Sequence, residues 1–272
     1  MVMVIVLGAA GRMGSGIISV LGGLIQEADS ICLAAALERK GHPSVGADAG
    51  EISGIKRLGI LITDDLGSVI DQGQVVIDFT TPQSTLANLD IISKKGKPLV
   101  IGTTGFGSSE IEQIRKATTR FPCVFSPNMS IAVNVMFKIV GEVANLLGHD
   151  YDIEIIEAHH RFKKDAPSGT ALRLAETLAL ATKRRLEEVA IYARKGQIGE
   201  RKPSEIGIQV VRAGDIVGEH TVIFGGVGER LEITHRAHNR DNFARGAILA
   251  AKWVVNQPSG LYEMADVLGL SH

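Results

Sequence analysis

Val2-Met-Val-Ile-Val-Leu-Gly-Ala-Ala-Gly-Arg-Met-Gly14 is the stretch that decides the fold. Six apolar residues without a polar alternation give a strand covered on both faces, because a half-exposed strand would place a polar residue at every second position. The glycines that follow allow a tight turn and a close backbone approach to pyrophosphate. The helix that opens behind them offers free amides and the positive end of its dipole. The spacing is G-x-x-G-x-x-G instead of the commoner G-x-G-x-x-G, so the flanking strand and helix carry the reading.

Working outward, similar apolar runs recur at Ile31 to Leu37, Val75 to Phe79, Leu99 to Gly102 and Cys123 to Phe125. Helical patterns separate them at Met13 to Glu27, Ser84 to Lys95 and Ser109 to Arg120, which gives the βαβ rhythm of a doubly wound parallel sheet. After a helix-like Ile131 to Leu147 the period changes to two. Ile206, Ile208 and Val210 alternate with their neighbours, and so do Leu231, Ile233 and His235, which suits antiparallel strands with one buried face. The basic stretch Arg194 to Lys202 reads as an exposed, solvated loop, and helix returns from Asn242 to Val255. The expected fold is α/β: a Rossmann-like doubly wound parallel sheet with a second α+β domain built on a mostly antiparallel open sheet.

The bulk properties narrow the partners. Among 272 residues, 29 Lys and Arg balance 30 Asp and Glu, so no global basic field exists to hold nucleic acid or an anionic membrane. No apolar run approaches the roughly 20 residues that span a bilayer, and the opening residues lack the pattern of a signal peptide, so a cytoplasmic location is expected. Cys32 and Cys123 lie far apart in apolar runs and read as small hydrophobes.

An acidic residue about 20 positions after the glycine loop, at the end of the second strand, takes the ribose hydroxyls in such folds. Glu38 stands there. Arg39 follows it and is suited to a 2′-phosphate, so use of both NADH and NADPH is expected. Other strand ends carry Asp78-Phe-Thr-Thr-Pro82, Gly102-Thr-Thr-Gly-Phe106 and Ser126-Pro-Asn-Met129, where ligands bind in open parallel sheets.

Acid chemistry concentrates in Glu157-Ala-His-His-Arg-Phe-Lys-Lys-Asp-Ala-Pro-Ser-Gly-Thr-Ala171. Two imidazoles and several cations precede a helix start whose amides would meet a carboxylate. No H-E-x-x-H or carboxylate-rich companion set accompanies the histidines, so no metal is expected. On spacing alone, a loop with structural histidines is an equally good account.

This segment, together with Gly8 to Gly14, Ala36-Leu-Glu-Arg39, Gly102 to Phe106 and Val211-Arg-Ala-Gly-Asp-Ile-Val-Gly-Glu-His220, resembles the dihydrodipicolinate reductase (4-hydroxy-tetrahydrodipicolinate reductase) family over essentially the whole chain. The resemblance implies that His159 is the acid/base residue and Lys163 the proton donor, with His160, Gly169 and Thr170 binding a small dicarboxylate substrate. It implies cofactor contacts from Gly8, Ala9, Ala10, Gly11, Arg12, Met13, Glu38, Arg39, Gly102, Thr103, Thr104, Ser126, Pro127, Asn128 and Met129. It further implies a homotetramer formed through the second domain, with residues 1–129 completed by 240–272 as the dinucleotide domain and 130–239 as the substrate and tetramerisation domain. Two positions depart from the family pattern: Ala132 stands where glycine is usual and Gln197 where histidine is common.

Overall fold

The computed structural model describes residues 1–24 and 31–270. The chain divides into two compact units, Met1–Ile131 with Arg240–His272, and Ala132–Asn239.

In the first unit the elements are β1 (Val2–Leu7), α1 (Arg12–Leu24), β2 (Ile31–Leu37), α2 (Ala49–Ile52), β3 (Ile62–Thr63), α3 (Leu66–Val69), β4 (Val75–Asp78), α4 (Pro82–Lys95), β5 (Leu99–Ile101), α5 (Ser108–Ala117) and β6 (Pro122–Phe125). The helix expected over Met13–Glu27 is α1 as far as Leu24; residues 25–27 lie outside the described residues. The second unit contains α6 (Ile131–Leu147), β7 (Asp152–His159), α7 (Gly169–Ala181), α8 (Leu186–Val189), β8 (Ala190–Ile191), β9 (Ile206–Arg212), β10 (Gly218–Gly225) and β11 (Arg230–Ala237). The first unit is then completed by α9 (Asp241–Val254), β12 (Gly260–Tyr262) and α10 (Met264–Val267).

The first sheet is parallel throughout, with strand order β12-β6-β5-β4-β1-β2-β3. Its central strands are almost wholly apolar because both faces are covered, Asp78 at the carboxyl end of β4 being the exception. Val4 and Val6 of β1 enter one apolar core and Ile5 and Leu7 the other, and Val100 of β5 is likewise separated from Leu99 and Ile101. Cys123 is buried in the second of these cores, where loss of solvent pushes its thiol pKa up, so it acts as the expected small hydrophobe. The order reverses between β1 and β4, the switch point beyond whose carboxyl ends ligands bind in doubly wound sheets.

The second sheet has the order β11-β10-β7-β9-β8. β10 runs antiparallel to β7 and β11, whereas β9 runs parallel to both β7 and β8, so this sheet is mixed. Period-two patterning fixes which residues face the core but not strand direction; here the α7 connection brings β9 in parallel to β7. Helices α6 and α7 cover one face, packing Val140, Leu174 and Leu178 against Ile153, Ile155, Ile208 and Phe224. On the other face Ile156 and Val211 are 39% and 43% exposed.

The basic loop is solvated except where Arg194 and Arg201 anchor it. Arg194 Nη1 and Nη2 donate to the two oxygens of Glu154 at 2.9 and 2.8 Å, and Arg201 Nε donates to the same carboxylate at 3.1 Å. Gly207 makes room for that pairing, since a Cβ there would lie 1.8 Å from a Glu154 oxygen. Arg194 and Arg201 are thus half-buried anchors, while residues 195–200 and Lys202 are exposed.

Candidate active site

In the first unit, Gly8 turns out of β1 with φ +73°, a left-handed conformation that favours glycine. A Cβ on Gly14 would lie 2.1 Å from the Gly8 carbonyl oxygen, so helix α1 closes onto the loop only because that side chain is absent. Gly11 and Arg12 are exposed at the head of α1, Ala10 and Met13 are half-buried, and Ala9 is buried. Glu38 reaches back to this loop: Oε1 accepts from the Ala10 N–H at 3.0 Å and Oε2 from the Arg39 N–H at 3.1 Å. The Arg39 side chain is exposed.

At the neighbouring strand ends, Asp78 organises two loops. Its Oδ1 accepts from Thr80 N–H at 2.9 Å, from Thr80 Oγ1 at 2.6 Å and from Thr103 Oγ1 at 3.3 Å. Burial pushes this carboxyl up, against the hydrogen bonds that favour its charged form. Gly102 lies under the Phe79 ring, 2.1 Å from where a Cβ would be, and Thr104 is exposed beyond it. Ser126 Oγ donates to the Asn128 carbonyl at 2.9 Å, Pro127 is exposed, and Met129 is buried in the apolar core.

In the second unit the polar groups extend apolar stripes. The buried face of β7 reads Ile153, Ile155, Glu157, His159; that of β10 reads Phe224, Val222, His220; β9 ends at Arg212. Strand register sets His220 opposite Glu157 and Arg212 opposite His159, which gathers all four at one end of the sheet.

Glu157 has no exposed surface. Its Oε2 lies 2.5 Å from His159 Nδ1, Arg212 donates to both oxygens at 2.8 Å each, and the Ser168 N–H donates to Oε1 at 3.0 Å. Burial alone would push this carboxyl up, but the bonds from His159, Arg212 and Ser168 outweigh it and bring the pKa down to about 2. Ser168 also caps α7, accepting from the Ala171 N–H at 3.2 Å, and its hydroxyl pairs with His220 Nε2 at 3.2 Å. Burial, reinforced by the nearby His159, pushes His220 down to about 3, so that ring is neutral.

His159 packs edge-on against His220, with ring centroids 5.2 Å apart. His160 follows it with a buried Nδ1 that has no hydrogen-bond partner among the described residues. Lys163 sits in the loop that leads to α7, its ammonium 2.8 Å from Asp165 Oδ2, and Gly169 and Thr170 form the first turn of that helix. Sequence reasoning gave no role to Glu157, Ser168, Arg212 or His220. The missed signal was a charge at i and i+2 within an otherwise apolar stripe, where a strand can bury a carboxylate only by pairing it.

A parallel sheet in Rossmann order, a glycine-shaped loop at its switch point, and a separate unit holding a carboxylate-bound histidine define a two-domain, nucleotide-dependent reductase. Residues 2–129 match the family model described as "Dihydrodipicolinate reductase, N-terminus" and residues 132–268 the one described as "Dihydrodipicolinate reductase, C-terminus". The chain belongs to the dihydrodipicolinate reductase family.

Proteins named 4-hydroxy-tetrahydrodipicolinate reductase from Syntrophus aciditrophicus (strain SB) and Syntrophobacter fumaroxidans (strain DSM 10017 / MPOB) are each 56% identical to it. The alignments cover 99% of both chains in the first case, and 99% of this chain and 100% of the relative in the second. A solved structure described as dipicolinate-bound dihydrodipicolinate reductase from Paenisporosarcina sp. TG-14 shares the fold, with TM-score 0.74, 24% identity and 98% coverage of each chain. An amine dehydrogenase from Mycobacterium smegmatis shares it more distantly, with TM-score 0.58 and 13% identity over 96% of this chain and 94% of that one.

Proposed function

We propose that this chain is a 4-hydroxy-tetrahydrodipicolinate reductase. It reduces (2S,4S)-4-hydroxy-2,3,4,5-tetrahydrodipicolinate to (S)-2,3,4,5-tetrahydrodipicolinate with loss of water, in the diaminopimelate route to lysine. The observation that carries the reading is the Glu157–His159 pair beside the cationic loop and the head of α7. A cyclic dicarboxylate needs cations and amides for its charges and a proton source for its ring. His159 is the acid/base residue, Lys163 donates a proton and attracts a carboxylate, and His160, Gly169 and Thr170 bind the substrate.

The first unit fits a pyridine dinucleotide because the loop from Gly8 to Met13 is shaped by absent side chains, with Gly11 and Arg12 left open at a helix head. That loop, Glu38, Arg39, Gly102, Thr103, Thr104 and the stretch Ser126 to Met129 hold either NADH or NADPH, which supplies the hydride. The protein supplies orientation and charge, and holding the reactants in reacting geometry is worth more than a single acid, about 7 to 11 kcal/mol.

Residues 1–129 with 240–272 form the dinucleotide domain, and 130–239 the substrate and tetramerisation domain. The exposed Ile156 and Val211 on the open sheet face support a homotetramer built through it. No described helix is long and apolar enough to cross a membrane. The enzyme is expected to act in the cytoplasm, on a small molecule and without nucleic acid or membrane partners.

The test is a coupled assay in which dihydrodipicolinate synthase generates the unstable substrate while cofactor oxidation is followed. Oxidation of NADH and NADPH that depends on fresh substrate is expected. A folded protein that oxidises neither would refute the activity.

A further inference from the structure

Glu157 presents no surface to any ligand, yet four hydrogen bonds converge on its carboxylate. A buried carboxylate is costly unless donors replace its water, and here they come from three elements: His159 of β7 itself, Arg212 of β9 and the Ser168 amide before α7. We propose that Glu157 is the positioning residue for the acid/base histidine, fixing the imidazole proton on Nδ1 so that Nε2 is the atom that exchanges a proton with substrate. The proposal rests on the reading of His159 as that acid/base residue.

The chemistry follows from what each atom is able to do. An ionised carboxylate only accepts hydrogen bonds, and the Arg212 fork keeps Glu157 ionised, so the contact at 2.5 Å requires a proton on His159 Nδ1. A neutral imidazole carries one N–H, which leaves a lone pair on Nε2. Nε2 has no hydrogen bond among the described residues, and it lies over Gly218, where a Cβ would stand 3.1 Å away. The neighbouring His220 is neutral and turned to Ser168, so it brings no competing charge to the ring. Through Ser168 the same carboxylate also fixes the head of α7 relative to the ring.

A carboxylate that merely neutralised Arg212 would need no particular tautomer of His159, and this separates the two roles. In long-range 1H–15N spectra of histidine-labelled wild-type protein, recorded where the rings are neutral, His159 should show a protonated Nδ1 and an unprotonated Nε2. The opposite tautomer would overturn the proposal without any variant or substrate, so this result is independent of the enzyme's activity. Glu157→Gln should mix the tautomers and lower kcat roughly 10- to 100-fold, a part of what one positioned acid supplies, with KM within about twofold. Combined with His159→Gln it should cost nothing further, because both act through one ring; losses that multiply would overturn the proposal. Should Glu157→Gln fail to fold, the wild-type spectrum still decides.

Discussion

Replacing Gly14 by alanine probes the dinucleotide loop separately from the chemistry. The new Cβ would stand 2.1 Å from the Gly8 oxygen, 2.7 Å from the Gly8 carbonyl carbon and 2.9 Å from Ala9 Cα. All three are backbone atoms and none can swing aside. A carbon settles roughly 3.3 Å from a carbonyl oxygen, so helix and loop must part by about 1 Å. The same Gly8 oxygen accepts from the Gly11 N–H at 2.9 Å, so the displacement passes into the turn expected to hold pyrophosphate. A misplacement of that size costs roughly 10²-fold in kcat/KM, and the overpacking costs about 1 to 3 kcal/mol of stability. Gly16→Ala is the control: nothing lies within 4 Å of its Cβ, and removing a glycine from the helix interior should stabilise by about 0.5 to 1 kcal/mol. Fluorescence titration with NADH and thermal unfolding of both variants read these effects. Wild-type NADH affinity in Gly14→Ala would refute the placement of the cofactor on this loop.

His159→Gln should lower kcat by roughly 10² to 10⁴ with little change in KM; a rise in KM alone would make the residue a binding group. Lys163→Ala should impair both parameters, and undiminished turnover would remove the ammonium from the site. Arg39→Ala should weaken NADPH selectively, whereas equal loss of NADH and NADPH in paired titrations would refute its pairing with the 2′-phosphate. Glu157 ionises near 2 in the fold against 4.5 unperturbed, so its contribution is complete above 4.5 and lost as pH falls towards 2. It amounts to roughly 3 kcal/mol. Denaturant unfolding at descending pH should therefore show a stability gap between wild type and Glu157→Gln that narrows in acid, and parallel curves would contradict the pairing.

The first unit was legible because its strands are buried on both faces and state this in composition: β1 and β2 were expected at the residues where they occur. β12 was not anticipated, since Gly260–Tyr262 is too short to show a period and pairs only through distant β6. The mixed direction of the second sheet was hidden for the reason that alternation is the same in parallel and antiparallel strands. Arg194 and Arg201 looked like solvated charges because their partners, Glu154 and Glu205, lie far off or across a turn and only the register unites them. At the site, the acid segment was readable as a cluster of types, whereas the groups that fix it come from three strands. Arg212 and His220 are 55 and 52 positions from their partners Glu157 and Ser168.

Those distant partners change how the cationic segment works. Read as a string, His159 to Lys164 offers positive charge for a dicarboxylate. In the fold part of that charge is already matched: Lys163 lies against Asp165 and the His159 ring against Glu157, which Arg212 also pairs, while Arg161 and Lys164 are exposed. The matched pairs do not empty the site of attraction, because an ammonium has three N–H donors and Asp165 engages Lys163 through a single close oxygen. On the proposed reading Lys163 keeps donors for a substrate carboxylate while its position is held, and the head of α7, beside its Ser168 cap, adds the positive end of its dipole. On the same reading the His159 ring, braced at Nδ1 by Glu157 and without a hydrogen bond at Nε2 among the described residues, is the group that exchanges the proton. A site that is to give up a proton without loosening its hold on a dianion would be served by that division of labour, with fixed charges paired in advance and the proton-exchanging ring held between them.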